Sequence, residues 1–201
     1  TVTDRETGDS LDIENQYIMS PRDLKTIGFL DRMVDAGVTV FKIEGRARGP
    51  EYVMTVVSAY DEALRAICDG TFTPERVAAW DENLTKVFNR GFWNGYYLGQ
   101  RLGEWSEKYE PSATRTKRYA AKAVRYYPRL GVGEFMLEAG ELRPGDEIVI
   151  TGPKTGAIIT TVEQVRLDRD PVEKAIKGQA FSIPVPEKVR PGDRLYIWDK
   201  K

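Results

Sequence analysis

No histidine occurs among the 201 residues, and cysteine occurs once, at Cys68. The first absence removes Ser-His-Asp and Cys-His nucleophile arrangements, histidine-based zinc sites and imidazole acid–base chemistry together. Any chemistry must rest on Asp, Glu, Lys, Tyr or Arg, or on residues outside this chain. A single cysteine also rules out a disulfide within the chain. Cys68 closes an apolar helical pattern, which predicts a packed thiol. No apolar run approaches the roughly 20 residues needed to span a bilayer. Thr1-Val2-Thr3-Asp4-Arg5 has no initiator Met and no signal-peptide pattern, so it reads as the cut end of a cytosolic protein. There is no P-loop, dinucleotide fingerprint, metal-ligand spacing or nucleophile elbow.

What is present is enough apolar material for a packed core, 41% of residues, and a lopsided charge. Residues 1–110 hold 13 basic and 19 acidic residues, a balance of −6, while the remaining 91 hold 17 and 12, a balance of +5. The two parts are therefore expected to meet different surroundings.

Residues 1–18 read as a hairpin or a loose loop. Ser20-Pro21-Arg22-Asp23 has the form of a capping box, so a helix is expected to start there and to end at Gly37. Val38 to Ile43 is a β-branched run that reads as a strand. A charged turn leads to Pro50, which opens a second helix with Val53, Val57, Tyr60, Leu64 and Ile67 as its apolar stripe. Thr73-Pro74 opens a third, with Val77, Trp80, Leu84 and Val87 facing inward. Phe92 to Gly99 is aromatic and glycine-rich, a packed loop in which base stacking is the alternative to simple packing. Helix–strand–helix with short connections is α/β grammar, but one strand makes no sheet.

From Tyr119 onward short β-prone runs alternate with turns. They are Ala121 to Tyr127, Gly133 to Leu137, Glu147 to Ile150, Ala157 to Leu167, Ala180 to Val185 and Leu195 to Trp198. Six such runs predict a closed barrel or small sandwich. A weak repeat, Arg143-Pro144-Gly145-Asp146 and Arg190-Pro191-Gly192-Asp193, places a tight turn before two of them. The chain thus divides into an α/β part at 1–104, a linker at 105–118 and an all-β part at 119–201. The fold class is α+β, with the first part an incomplete α/β segment. Its apolar helix stripes are expected to pack on the β part, on a second copy of the chain, or on both.

Two places carry candidate chemistry. The first is the turn after the lone α/β strand, with Lys42, Glu44 and Arg46. Function gathers at the carboxyl ends of parallel strands, and side-chain alternation puts Lys42 and Glu44 on one face. A structural ion pair is the competing reading. The second is the stretch between Pro111 and Gly133, which holds no acid but contains Arg115, Lys117, Arg118, Lys122, Arg125 and Arg129. Tyr126 and its tyrosine neighbours are interleaved, a combination suited to RNA phosphates and stacked bases. Lysines and arginines that protect an edge strand would look the same.

Ser20-Pro21-Arg22-Asp23-Leu24, Asp35-Ala36-Gly37-Val38, Phe41-Lys42-Ile43-Glu44-Gly45-Arg46 and Pro50-Glu51-Tyr52-Val53 closely resemble the peptidase U32 family, the collagenase-like proteases. Asn89-Arg90-Gly91-Phe92, Gly95-Tyr96-Tyr97 and the basic run into Pro-Gly-Asp turns are similar to the same family, and to its tRNA wobble-uridine hydroxylase branch. The resemblance implies a parent of about twice this length, with a TIM-like barrel whose last units lie in residues 1 to about 70. It also implies a C-terminal β-barrel similar to the second domain of elongation factor Tu. It further implies that this portion is inactive alone and belongs either to a tRNA-modifying enzyme or to a peptidase. In the first case Lys42, Glu44 and Arg46 lie at the barrel mouth and the basic stretch docks tRNA. In the second the β domain handles polypeptide, or serves as a structural or dimerisation module. Hydroxylase members carry an iron–sulfur cluster on barrel cysteines, one of which follows Asp-Leu. Here that position is Lys25, so no cofactor is expected in this portion, and the iron–sulfur cluster that the resemblance implies for the parent is at odds with this departure.

Overall fold

In a computed structural model the chain folds into helices and a large antiparallel sheet, with residues 1–13, 20–100, 103–106 and 110–201 described. Two compact units are present. Unit 1 comprises residues 1–44 and 55–114, and unit 2 comprises residues 45–54 and 115–201.

In unit 1, β1 (Val2–Thr3) and β2 (Ser10–Leu11) form a small antiparallel hairpin. The end of the segment read as a hairpin or loose loop, residues 14–18, lies outside the described residues. The expected helix at Ser20 does not form. Asp23–Leu24 is instead a short strand, β3, and the helical turn begins only at Ile27, followed by α1 (Leu30–Asp35). The reason is a tertiary partner that local pattern could not reveal: β3 pairs in parallel with β4 (Phe92–Trp93). Gly37, at φ +88°, does end α1, in the left-handed conformation that favours glycine.

Val38 to Gly45 has no sheet neighbour, since the strand read there finds no ladder to join. The helix predicted from Pro50 is α2 (Pro50–Cys68), but its buried face is rotated from the expected stripe. Val56, Ala59, Ala63 and Ala66 are buried, whereas Val53 and Val57 are exposed. The buried face is made mostly of small side chains, which a stripe drawn from the larger ones does not reveal. Cys68 is exposed, contrary to the packed thiol expected. The third helix, α3 (Pro74–Lys86), starts as predicted, with Thr73 Oγ1 accepting from the Arg76 amide and Pro74 at the first position. Trp80 and Leu84 are its buried residues, and Trp80 donates its indole N–H to Glu62.

In unit 2 the strands are β5 (Arg115–Tyr127), β6 (Val132–Leu137), β7 (Glu141–Leu142), β8 (Glu147–Gly152) and β9 (Gly156–Thr161). They continue with β10 (Val165–Leu167), β11 (Asp170–Val172), β12 (Ala175–Ile176), β13 (Ala180–Pro184) and β14 (Arg194–Lys200). Eight of these form one antiparallel sheet in the order β11-β10-β13-β6-β5-β14-β8-β9, and β7 pairs separately with β12. The ladder is open, with β11 and β9 as its edges, rather than closed into a barrel. Its inner face holds one core containing Phe135, Leu137, Ile148, Ile150, Ile183 and Leu195, in which the Phe135 and Phe181 rings stack at 5.6 Å. β5 begins at Arg115, inside the stretch read as a linker.

The Pro-Gly-Asp repeat forms two copies of one turn. Gly145 and Gly192 both sit at φ +93°, the third position of a type II turn with Pro before it. In each, the Asp carboxylate accepts the amide of the residue three before it, Arg143 to Asp146 at 2.7 Å and Arg190 to Asp193 at 2.8 Å. Asp193 is buried against Gly152, where any β-carbon would collide with its carboxylate.

Candidate nucleic-acid interface

β5 carries most of the cations singled out from sequence, and the structure divides them. Arg115 is held inside the fold: it pairs with Glu147 at 2.8 Å and donates to the Trp198 carbonyl. Lys117 pairs with Glu51 at 2.7 Å and lies over the Tyr196 ring, while Arg118 pairs with Asp199 at 3.0 Å. The stretch is acid-free in sequence but not in space. Neighbouring strands and the start of α2 supply carboxylates to its first half. Tyr126 packs against the core rather than facing solvent.

The second half is different. Lys122, Arg125 and Arg129 are exposed, and none has a carboxylate partner among the described residues. The register extends this surface across other strands. Lys122 stands directly opposite Arg194 on β14 and Met136 on β6. Arg125 stands opposite Glu134, which pairs with Ser182 of β13, which pairs with Arg166 of β10. Side chains opposite one another share a face, so Arg166, Arg125, Lys122 and Arg194 lie on one outer face of the sheet. A bulge at Val124 lets Lys122 and Arg125 share that face despite an odd spacing. Arg166 and Arg194 were missed from sequence because strand register decides them. Two cations opposite one another without an acid between them repel, and a polyanion relieves that repulsion.

Tyr119 marks the border between the two halves. Partial burial, with its hydrogen bond to Glu138 and that carboxylate's charge, pushes its phenol up to about 12.

Lys42, Glu44 and Arg46 are exposed in the non-strand stretch before α2. In unit 1 the structure joins two sequence motifs instead. Asp23 accepts the Arg90 amide at 2.9 Å, the Asp23 amide donates to the Gly91 carbonyl, and Asn89 Oδ1 accepts the Gly91 amide. Lys25 pairs with Asp81 at 2.7 Å and lies over the Phe92 ring. An iron–sulfur cluster does not fit these residues. It needs several thiolates, but the chain has one cysteine, at the end of α2, and an ion-paired lysine follows Asp23-Leu24.

Comparison with known proteins adds the relationship. The profile of peptidase family U32 matches residues 1–107. A protein named collagenase from Porphyromonas gingivalis is 63% identical over the whole chain, which covers 49% of that protein. The tRNA hydroxylation protein P1 of Bacillus subtilis is 28% identical over 74% of this chain and 35% of its own length. The C-terminal domain of a U32 peptidase from Geobacillus thermoleovorans is 20% identical over 39% of this chain and 98% of the domain, with a TM-score of 0.38. The chain spans about half the length of the collagenase it matches. With a profile match over more than half its residues, this chain belongs to peptidase family U32.

Proposed function

We propose that the chain is the RNA-docking portion of a longer tRNA-hydroxylating enzyme and carries no complete active site of its own. The observation behind this reading is the Lys122–Arg194 pair on the outer face of unit 2, two opposed cations with no carboxylate partner among the described residues, with Arg125 and Arg166 on the same face to either side of Glu134. Similarity to a protein named for tRNA hydroxylation supports it. The docked RNA would be presented to residues of the longer enzyme, with Lys42, Glu44 and Arg46 as this chain's contribution to that site. A second reading, a peptidase portion that handles polypeptide, is favoured by the 63% identity to a collagenase.

The test is binding of bulk tRNA at low and moderate salt. About four phosphate contacts give roughly a hundredfold loss of affinity for a fourfold rise in salt. Lys122→Glu with Arg194→Glu should abolish the binding, whereas Lys117→Gln should leave it nearly unchanged because Lys117 is occupied by Glu51. Binding of gelatin rather than tRNA, lost in the same double variant, would support the second reading.

A further inference from the structure

β10 meets β13 at one register pair, Arg166 with Ser182, whereas β13 and β6 pair along five residues. Beside that single junction the outer face forms an open groove of about 760 Å³. On its floor Val132 lies between Pro184 of β13 and Tyr127 of β5, each its direct register partner. Leu130, 73% exposed, stands at its lip. The turn after β10 forms one wall with Asp168 and Arg169, and Asp168 holds a left-handed backbone at φ +53°. Glu134, also in the groove, already accepts the Tyr127 hydroxyl at 2.8 Å.

Among the described residues this leaves Arg166 and Arg169 as guanidinium groups without a carboxylate partner. Arg166 makes one hydrogen bond, to Gln164. We infer that the groove receives one unpaired nucleotide of RNA, its base against Tyr127, Val132 and Pro184 and its phosphate between Arg166 and Arg169. This rests on the RNA-docking reading and deepens it. An apolar floor beside paired guanidinium groups matches the two chemistries of a nucleotide, a π-face and an anion. Arg125, 6.0 Å from the Tyr127 ring, links the groove to the cation row, so a strand lying along that row reaches it. Asp168 opposes a second phosphate, which limits the site to a single nucleotide. The Ser182 hydroxyl and Gln164 amide offer hydrogen bonds to a base edge.

The experiment compares binding of a short unstructured RNA and a blunt RNA duplex of equal length to the full chain, to Ser182→Trp, which fills the groove, and to Arg169→Gln. The unaltered chain should prefer the single strand. Each variant should lose about tenfold or more of single-strand affinity, the scale of one stacked base, and keep duplex affinity. Arg169 sits in an exposed turn, so its variant decides the matter if Ser182→Trp fails to fold. Equal binding of both RNAs, unchanged in the variants, would overturn the groove assignment and leave the docking reading intact. Absence of RNA binding by the unaltered chain would overturn both. Loss of gelatin binding in Ser182→Trp, with RNA binding unchanged, would assign the groove to polypeptide and overturn it as a nucleotide site.

Discussion

Single carboxylates in unit 2 differ sharply in consequence although their local motifs match. Asp193 and Asp146 each fold a Pro-Gly-Asp turn, but Asp193 is buried and also accepts the Thr155 hydroxyl at 2.6 Å. Asp193→Ala leaves a part-buried amide and hydroxyl without an acceptor and a void where the buried carboxylate sat, and should cost about 2–3 kcal/mol, against about 1 kcal/mol or less for Asp146→Ala. Hydrogen exchange of the β14 amides reads this difference directly. Tyr119 offers a second residue-scale check. Its phenol, raised to about 12, stays protonated in the folded chain while the unfolded chain loses that proton near 10. The folded state then holds more protons, so stability from this group is intact below pH ~10 and is lost as pH rises toward 12. An ultraviolet tyrosinate titration should show one late-titrating phenol, brought earlier by Glu138→Gln.

At the scale of elements, what the sequence made legible depended on whether a signal was local. The Thr73-Pro74 start of α3 is legible, and each of the six short β-runs read in unit 2 holds strand, because caps, β-branched runs and turns act within a few residues. Ala157 to Leu167 proved to be two strands, β9 and β10, parted at Val162 to Gln164. The capping box at Ser20 failed because Asp23 is claimed by the Arg90 amide 67 residues away. The same reason hid half of the basic face: Arg166 and Arg194 join Lys122 only through register, while Glu147, Glu51 and Asp199 remove its first half. Thr73→Ala should cost about 1 kcal/mol or less, since the cap hydrogen bond is long at 3.4 Å, and should raise exchange in the first turn of α3 alone.

For the whole molecule, charge is arranged by unit rather than by net value. A balance of −1 overall conceals an outer face where Lys122 opposes Arg194 and Arg125 and Arg166 flank Glu134, and that cationic excess supports a docking role better than the total opposes one. Among the described residues no helix is long and apolar enough to cross a membrane. The most direct test of the account is ultraviolet cross-linking of bulk tRNA to the intact chain at low salt, with the adducts mapped to peptides. Adducts are expected on the second half of β5, on β6, and on the turn after β10, all suppressed by raising salt or by Lys122→Glu with Arg194→Glu. Adducts confined to unit 1, or none at low salt, would contradict it.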